Sequence, residues 1–341
     1  MTPFFHEPFK PSSFVCEPAT ALIITMGGEI EVVSPKCSAA LAPFAKFAGT
    51  GRTSSMLDEE LILLGDDDLG TKGQYISIQK PRDGLLAMTY TVHNHTIRHL
   101  PHQHSAMVSR NILNVVGGKF KSREKLSKFT WKELSLNWEN GTKFSPDFIS
   151  ACTVKLGVDT HMILGGERNV DGRKIGVTQV VKINQTDEIV YKMNPLKLPR
   201  VSHACELLSP SVILVSGGLT QQDSTEILPD ELYIFDEPQN DGRVIEHSLK
   251  RTRHSLIKMG EEVWALGGRD SSGQATKRIA VFNPATDSWT DRPEKLQSTH
   301  TSEITVTPYP ASSLDCVAQC QCGETNTKAR IFNGGPVEVR I

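Results

Sequence analysis

The sequence has no long apolar run. A membrane-spanning helix needs about 18 consecutive apolar residues, and no segment of the chain approaches that length. Its charges nearly balance, with 37 lysines and arginines against 39 aspartates and glutamates and a formal net charge of −2. This balance gives no general attraction to nucleic acid or to an anionic membrane surface. Motifs of nucleotide-binding loops, zinc proteases, serine hydrolases and kinases are also absent. The sequence therefore predicts no membrane insertion, no nucleic-acid binding and no cofactor.

Cysteine is sparse, with seven residues scattered along the chain and no pair at the spacing of a zinc ribbon. An odd and scattered set favours reduced thiols over a framework of disulfides. The first ten residues lack the basic start and the apolar stretch of a secretory signal. These features together predict a cytoplasmic protein, with the nucleus as the alternative.

The chain does contain a repeat, in which an aliphatic run ends in a glycine-bearing dipeptide seven times, at a period of roughly 50 residues. Glycine at the end of such a run indicates that another backbone approaches closely, where a Cβ atom would collide. The glycines predicted to have this structural role are Gly27, Gly28, Gly65, Gly117, Gly118, Gly165, Gly166, Gly217, Gly218, Gly267, Gly268 and Gly323.

Each copy of the repeat predicts four β-strands. The second strand is the continuous aliphatic run, which is typical of a strand buried on both faces. The third strand alternates and ends in turn residues, as in Tyr233–Pro238 and Ile279–Pro284. A period of this length over the whole chain predicts an all-β propeller of four-stranded antiparallel blades. Seven blades are predicted, with six as the alternative if one terminal copy is degenerate.

The pattern resembles the kelch repeat, most closely from Arg253-His254-Ser255 through Trp289, where a histidine start, a double glycine and a tryptophan follow in order. The resemblance implies one kelch-type propeller over residues 12–341 after an N-terminal segment, 1–11. The predicted blades are 12–48, 49–98, 99–147, 148–200, 201–250, 251–298 and 299–341.

A second and shorter resemblance concerns the last copy. The stretch from His300-Thr301-Ser302 to Phe332-Asn333 is similar to the final blade of the propeller in wybutosine-synthesising protein 4, a modifier of transfer RNA. It implies a propeller associated with RNA modification as an alternative function. The methyltransferase residues of that protein have no counterpart here that can be carried over.

The candidate binding residues open the first strands of the copies. The first strand is innermost in kelch-like propellers, so the resemblance implies that these residues converge around the central channel. They are Arg52, His104, Ser150, Arg200, His203, Arg253, His254 and His300. Arginine and histidine at such a mouth favour an acidic peptide, a carboxylate or a phosphate. The alternative for the histidine–serine pairs is a structural role, in which they bond to neighbouring backbone.

Three other clusters contain residue types that bind metals. His93, His95, His99 and His102 lead into His104 on the predicted connection between the second and third blades, and imidazole is a ligand for zinc, copper and nickel. Cys316, Cys320 and Cys322 alternate along a predicted buried strand, and Asp66, Asp67 and Asp68 share a turn. The sequence predicts no metal, and the histidine cluster is the alternative that stays open.

The leading functional prediction is a non-catalytic interaction or scaffold module. It would be a monomer that binds a partner protein or an acidic peptide through one mouth of the propeller. The alternative is a propeller enzyme with a metal or acid–base site at the mouth, as in the oxidases, mutarotases and specifier proteins of similar architecture. Fold alone does not decide between these two classes of function.

Overall fold

The computed structural model describes residues 149–296, except 172, 185–188, 222 and 237–241, together with residue 301 and the strands named below in the rest of the chain. The described residues form an all-β structure of six four-stranded antiparallel sheets and one two-stranded sheet. None of these residues forms a helix that is long and apolar enough to cross a membrane. The predicted all-β fold class with four-stranded antiparallel blades is confirmed.

The first three sheets along the chain involve the residues before 149. Their strands are β1 (Thr20–Thr25), β2 (Ile30–Val33), β3 (Ser38–Leu41), β4 (Thr53–Leu57), β5 (Glu60–Gly65), β6 (Lys72–Gln79), β7 (Thr89–Thr96), β8 (Ser105–Ser109), β9 (Ile112–Val116), β10 (Ser127–Lys132) and β11 (Ser135–Asn140). The strands β4 to β7 form one sheet in chain order, and β8 to β11 form the next.

The later strands form three further four-stranded sheets and a hairpin. They are β12 (Cys152–Lys155), β13 (Thr160–Leu164), β14 (Glu167–Val170), β15 (Arg173–Gly176), β16 (Val180–Asn184), β17 (Ile189–Lys192), β18 (Ala204–Ser209), β19 (Val212–Ser216), β20 (Glu231–Ile234), β21 (Arg243–Val244), β22 (Ser255–Met259), β23 (Glu262–Leu266), β24 (Arg278–Asn283), β25 (Ser288–Lys295) and β26 (Ile304–Tyr309). The strands β14 and β15 pair only with each other, as an insertion between β13 and β16.

The innermost strands of the sheets form a closed ring. The strand β4 contacts β8, β8 contacts β12, β12 contacts β18, β18 contacts β22, β22 contacts β26, and β26 contacts β4. Because these six contacts return to their starting point, the six four-stranded sheets surround a common axis as the blades of a propeller.

The two ends of the described chain share one blade. The strand β26 pairs with β1 along its whole length, so that Ile23 faces Val306 and Ile24 faces Thr305. The predicted blades 12–48 and 299–341 therefore contribute strands to one sheet, with the order β26-β1-β2-β3. Seven blades are not confirmed, since the described strands give six four-stranded sheets. The backbone hydrogen bonds between β1 and β26 close the ring.

The apolar core lies between consecutive blades, and the aliphatic runs supply both of its faces. In β19 the side chains of Ile213 and Val215 pack in a cluster with Met162 of the preceding blade. Leu214, between them, packs in a cluster with Val263 of the following blade. Alternate residues of one strand thus enter two different cores, which explains why the run is apolar throughout.

The glycine pairs lie where one blade meets the next. Gly218 has a positive φ of 87° and its backbone N–H donates to the carbonyl oxygen of Arg251 at 3.1 Å. A Cβ atom at Gly165 would lie 2.7 Å from the imidazole ring of His203 in the following blade. These are the close approaches that the sequence pattern predicts. Gly65 ends β5, whereas Gly27, Gly28, Gly117, Gly118 and Gly323 lie outside the described residues.

A disulfide joins two innermost strands. Cys152, the first residue of β12, is bonded to Cys205 of β18, with 5.9 Å between the two Cα atoms. The prediction that all seven cysteines are reduced thiols is therefore wrong for this pair. The two residues are 53 positions apart in sequence, and only the packing of consecutive blades brings them together.

Candidate functional site

The upper mouth is defined here as the end of the ring at which β12, β18 and β22 begin. Among the predicted binding residues, Ser150, Arg200, His203, Arg253 and His254 lie at this mouth, just before those strands. Three others fall outside the described residues, and they are Arg52, His104 and His300. The described members therefore come from three consecutive blades, as the repeat predicts.

Arg200 does not face the channel opening. Its side chain has no exposed surface, and its guanidinium donates to the carbonyl oxygens of Gly217 at 2.8 Å and Pro229 at 3.0 Å. It also forms an ion pair of 3.1 Å with Glu231, which is equally buried. Burial lowers the pKa of Arg200, while the carboxylate of Glu231 acts in the opposite direction. The prediction that Arg200 binds a partner is corrected, because the side chain is buried and its two terminal nitrogens bond to groups of its own blade.

The repeat places Arg251, rather than Arg253, in the position of Arg200. Backbone bridges pair Val201 with Leu219 and Thr252 with Arg269, so the residues before Val201 and Thr252 are equivalent. The guanidinium of Arg251 is buried, and it donates to the carbonyl oxygen of Arg278 at 2.9 Å. Burial, and then the charge of Arg278, lower its pKa to about 10.

Arg251 is the structural residue that the sequence analysis missed. The signal was present, because the offset between His203 and His254 also leads from Arg200 to Arg251. Arginine at two equivalent positions indicates a role in the repeat itself rather than in a binding site.

The two described histidines are built into the blade junctions. Nε2 of His203 lies 3.1 Å from the carbonyl oxygen of Leu164 in the preceding blade, so this nitrogen donates. Nε2 of His254 lies 3.1 Å from Oγ of Ser216, again in the preceding blade. Burial is the main reason that both pKa values fall to about 3, and the nearby charges of Arg200 and Arg251 lower them further. His203 thus bonds to neighbouring backbone, as the structural alternative expects, whereas His254 bonds to a neighbouring side chain.

The carboxylate of Asp230 accepts hydrogen bonds from two consecutive blades. It is fully buried, and its Oδ1 accepts hydrogen bonds from Oγ of Ser216 and from the backbone N–H of Gly217, both at 2.9 Å. Its Oδ2 accepts from the backbone N–H of Leu249 at 3.0 Å and from the indole N–H of Trp289 at 2.6 Å. All of these donors are protein groups of two consecutive blades, which indicates a structural carboxylate rather than a catalytic one.

Ser150 and Arg253 occupy equivalent backbone corners of two different blades at the upper mouth. Their φ angles are 53° and 54°, and that of the equivalent Ser202 is 57°. The left-handed region costs a non-glycine residue of order 1 kcal/mol, so three successive blades maintain the corner against this strain. The backbone N–H of Arg253 donates to the carbonyl oxygen of Ser202 at 2.9 Å. Both Ser150 and Arg253 are half-buried, and of the predicted arginines within the described chain only Arg253 has an accessible surface.

Only two residues of the histidine cluster, His93 and His95, lie in the part of the chain that the structure describes. His93 and His95 lie in β7, opposite Tyr75 and Gly73 of β6, and β7 is the outermost strand of its sheet. They therefore belong to a strand at the outer edge of a blade rather than to a connecting loop. His99, His102, Asp66, Asp67, Asp68, Cys316, Cys320 and Cys322 lie outside the described residues. Within the described part of the chain, no three histidine, cysteine, aspartate or glutamate side chains could hold a metal ion.

The depressed pKa values of His203 and His254 predict a loss of stability in acid. Both pKa values are about 3 in the folded protein, against an ordinary value of 6.5. The unfolded chain therefore takes up protons first, and stability falls as the pH falls from about 6.5 towards about 3. At about pH 5 each histidine should cost about 2 kcal/mol.

The His254→Gln variant tests this acid effect. Its free energy of unfolding in urea should lie below that of the unsubstituted protein at about pH 7.5, because packing and the bond to Ser216 are disturbed. That deficit should shrink by about 2 kcal/mol at about pH 5, because glutamine does not titrate. A deficit that is equal at the two pH values would contradict the buried, neutral state of the imidazole.

Comparison with known proteins agrees with the fold. The kelch motif matches residues 250–295, which covers β22 to β25 and the loop before them. No curated protein sequence matches the chain. The solved structure titled "Structure of YjhT" is similar over 80% of this chain and 94% of its own, with 13% sequence identity and a TM-score of 0.59. The matched motif identifies one kelch repeat in this blade, and the likeness to the solved structure supports the propeller fold of the chain.

Proposed function

We propose that this chain is a non-catalytic binding module that holds an acidic segment of a partner protein at the upper mouth. The observation that carries the proposal is that some polar residues at this mouth are buried and bonded within the protein, whereas others are accessible to solvent. Arg200, Arg251, His203, His254 and Asp230 are buried and bonded to protein groups, most of them across blade junctions. A rigid rim of this kind is suited to presenting the residues that remain accessible.

Arg253 is the residue on which the proposed binding depends most. It lies at a backbone corner that is fixed by a hydrogen bond to the preceding blade, and its side chain is half-buried. The planar guanidinium of arginine binds carboxylates through two parallel hydrogen bonds, so an aspartate or glutamate of the partner is the expected contact. Two exposed cations, Arg173 at the start of β15 and Lys250 on the segment that leads into β22, add positive charge for such a segment.

The Arg253→Glu variant tests the proposal. The tagged protein would be used to capture partners from native lysate, with the captured proteins identified by mass spectrometry. We expect the unsubstituted protein to capture a partner in a stoichiometric amount. The amount captured by Arg253→Glu should be lower by about tenfold or more, because hydrogen bonds to charged groups contribute about 1.5–3 kcal/mol. Addition of salt should weaken the same interaction.

Lys155→Glu is the matched control. Lys155 is exposed and ends β12 at the opposite mouth, so its reversal changes the net charge of the protein equally without touching the upper mouth. Circular dichroism and thermal unfolding of both variants would establish that they are folded. Equal capture of the partner by Arg253→Glu and by the unsubstituted protein would overturn the proposal. Loss with Lys155→Glu alone would assign binding to the opposite mouth.

A further inference from the structure

We propose that the Cys152–Cys205 disulfide is a reversible modification site, at which small thiols open and close a covalent link between two blades. The bond joins the first residue of β12 to the second residue of β18, and these two strands are adjacent in the ring. It therefore crosses the same kind of junction that the glycines and histidines form elsewhere at the upper mouth.

Other junctions achieve the same link without a covalent bond. Ser105 is the first residue of β8, and its Oγ donates to the carbonyl oxygen of Ala151 in the next blade at 2.8 Å. Ser255 is the first residue of β22, and its Oγ donates to the carbonyl oxygen of Ile304 at 2.7 Å. Cys152 occupies this same strand position. Because serine suffices at two junctions, the blades can pack without the disulfide, and the protein is expected to remain folded when it opens.

The surroundings of the two sulfur atoms differ. Cys205 is 7% exposed and belongs to an apolar cluster that includes Val154, Leu164 and Tyr233. Cys152 packs against the edge of this cluster and is partly exposed. Cys152 is therefore the more accessible of the two residues, so we expect an attacking thiol to approach its sulfur, with the buried Cys205 as the leaving group.

The exchange needs only a small thiol of the glutathione class. Its thiolate attacks Sγ of Cys152, a new S–S bond forms to the small thiol, and the bond between Cys152 and Cys205 breaks. The sulfur of Cys205 takes the electron pair and then a proton. A second small thiol attacks the sulfur of the first, which releases Cys152 as a thiol and leaves the oxidised small disulfide. Two electrons pass to the protein, and two small thiols are oxidised.

The test uses the purified full-length chain, oxidised and then exposed to millimolar reduced glutathione under native conditions. Free thiols would be alkylated, and the digested protein would be analysed by mass spectrometry. Before exposure, a cross-linked peptide pair should contain Cys152 and Cys205. Afterwards both should be alkylated, while circular dichroism remains that of the folded protein. In a Cys205→Ser variant treated with oxidised glutathione, the adduct should form on Cys152.

Thermal unfolding separates the effect of this bond from that of the other cysteines. Reduction should lower the melting temperature of the unsubstituted protein by about 5 °C or more, because the bond constrains a long loop in the unfolded chain. The Cys152→Ser/Cys205→Ser double variant keeps the remaining cysteines. It gives position 152 the same residue type, serine, that begins the equivalent strands at Ser105 and Ser255. Its melting temperature should not respond to the reductant.

Two results would overturn the inference. Alkylation of both Cys152 and Cys205 in the oxidised native protein would mean that no bond forms. A cross-link that glutathione opens only after unfolding in urea would mean a permanent structural disulfide rather than an exchangeable one. Neither the bond nor these measurements depend on the partner proposed for the upper mouth.

Discussion

The Gly217→Ala substitution is expected to lower the free energy of unfolding by about 4 kcal/mol. Gly217 has a φ of 58°, a conformation that is unfavourable for any residue with a Cβ atom. A Cβ atom built there would also overlap the backbone carbonyl oxygen of Arg251 in the next blade. The obstacle is backbone that is fixed by its own hydrogen bond to Gly218, so it cannot move aside as a flexible side chain would.

Two further glycines separate the strain of the backbone from the collision. Gly273 has a φ of 77° but no neighbouring atom within 4 Å of a built Cβ, so Gly273→Ala should cost only about 1 kcal/mol. Gly157 has neither a positive φ nor a close neighbour, and Gly157→Ala should change stability by less than about 0.5 kcal/mol. Denaturant unfolding of the three variants measures the series. Equal midpoints for Gly217→Ala and Gly273→Ala would refute the assigned contact between blades.

Much of this fold could be predicted because its main features are local in sequence. The aliphatic run of β19 and the glycines at 217 and 218 recur at the period of a blade, and each copy repeats the same packing on both sides. The closure of the ring was not predicted, since the pairing of β1 with β26 joins two weak copies at opposite ends of the chain. Pattern within one copy contains no information about which strand from the other end will complete its sheet.

The candidate site was harder to predict than the fold because the pattern does not show which side chains are buried. Arg200 and Arg253 look alike in the sequence, yet Arg200 pairs with Glu231 inside a blade and Arg253 reaches the surface. The ion pair joins residues 31 positions apart, and the repeat pattern does not predict the path of the loop between them. The link between Cys152 and Cys205 was missed for the same reason, because it depends on the packing of one blade against the next.

The Arg200→Ala variant is expected to lose about 3–5 kcal/mol of stability. The change removes the partner of the fully buried Glu231 carboxylate, and it also leaves the carbonyl oxygens of Gly217 and Pro229 without their donor. An unpaired buried charge is costly because the carboxylate has given up its hydration without compensation. Arg253→Ala, which truncates a half-exposed side chain, should change the free energy of unfolding by less than about 1 kcal/mol.

The double variant Arg200→Met/Glu231→Leu distinguishes an unpaired charge from lost packing. If the penalty of Arg200→Ala comes from the stranded carboxylate, replacing both partners with apolar side chains should recover part of the lost stability. A double variant less stable than Arg200→Ala would instead assign the penalty to the shape of the site. Equal stability of Arg200→Ala and Arg253→Ala would mean that the buried ion pair does not form. Because Arg200→Ala is expected to disturb the fold, loss of partner binding in that variant would be uninformative, whereas loss in a folded Arg253→Glu protein would identify the binding surface.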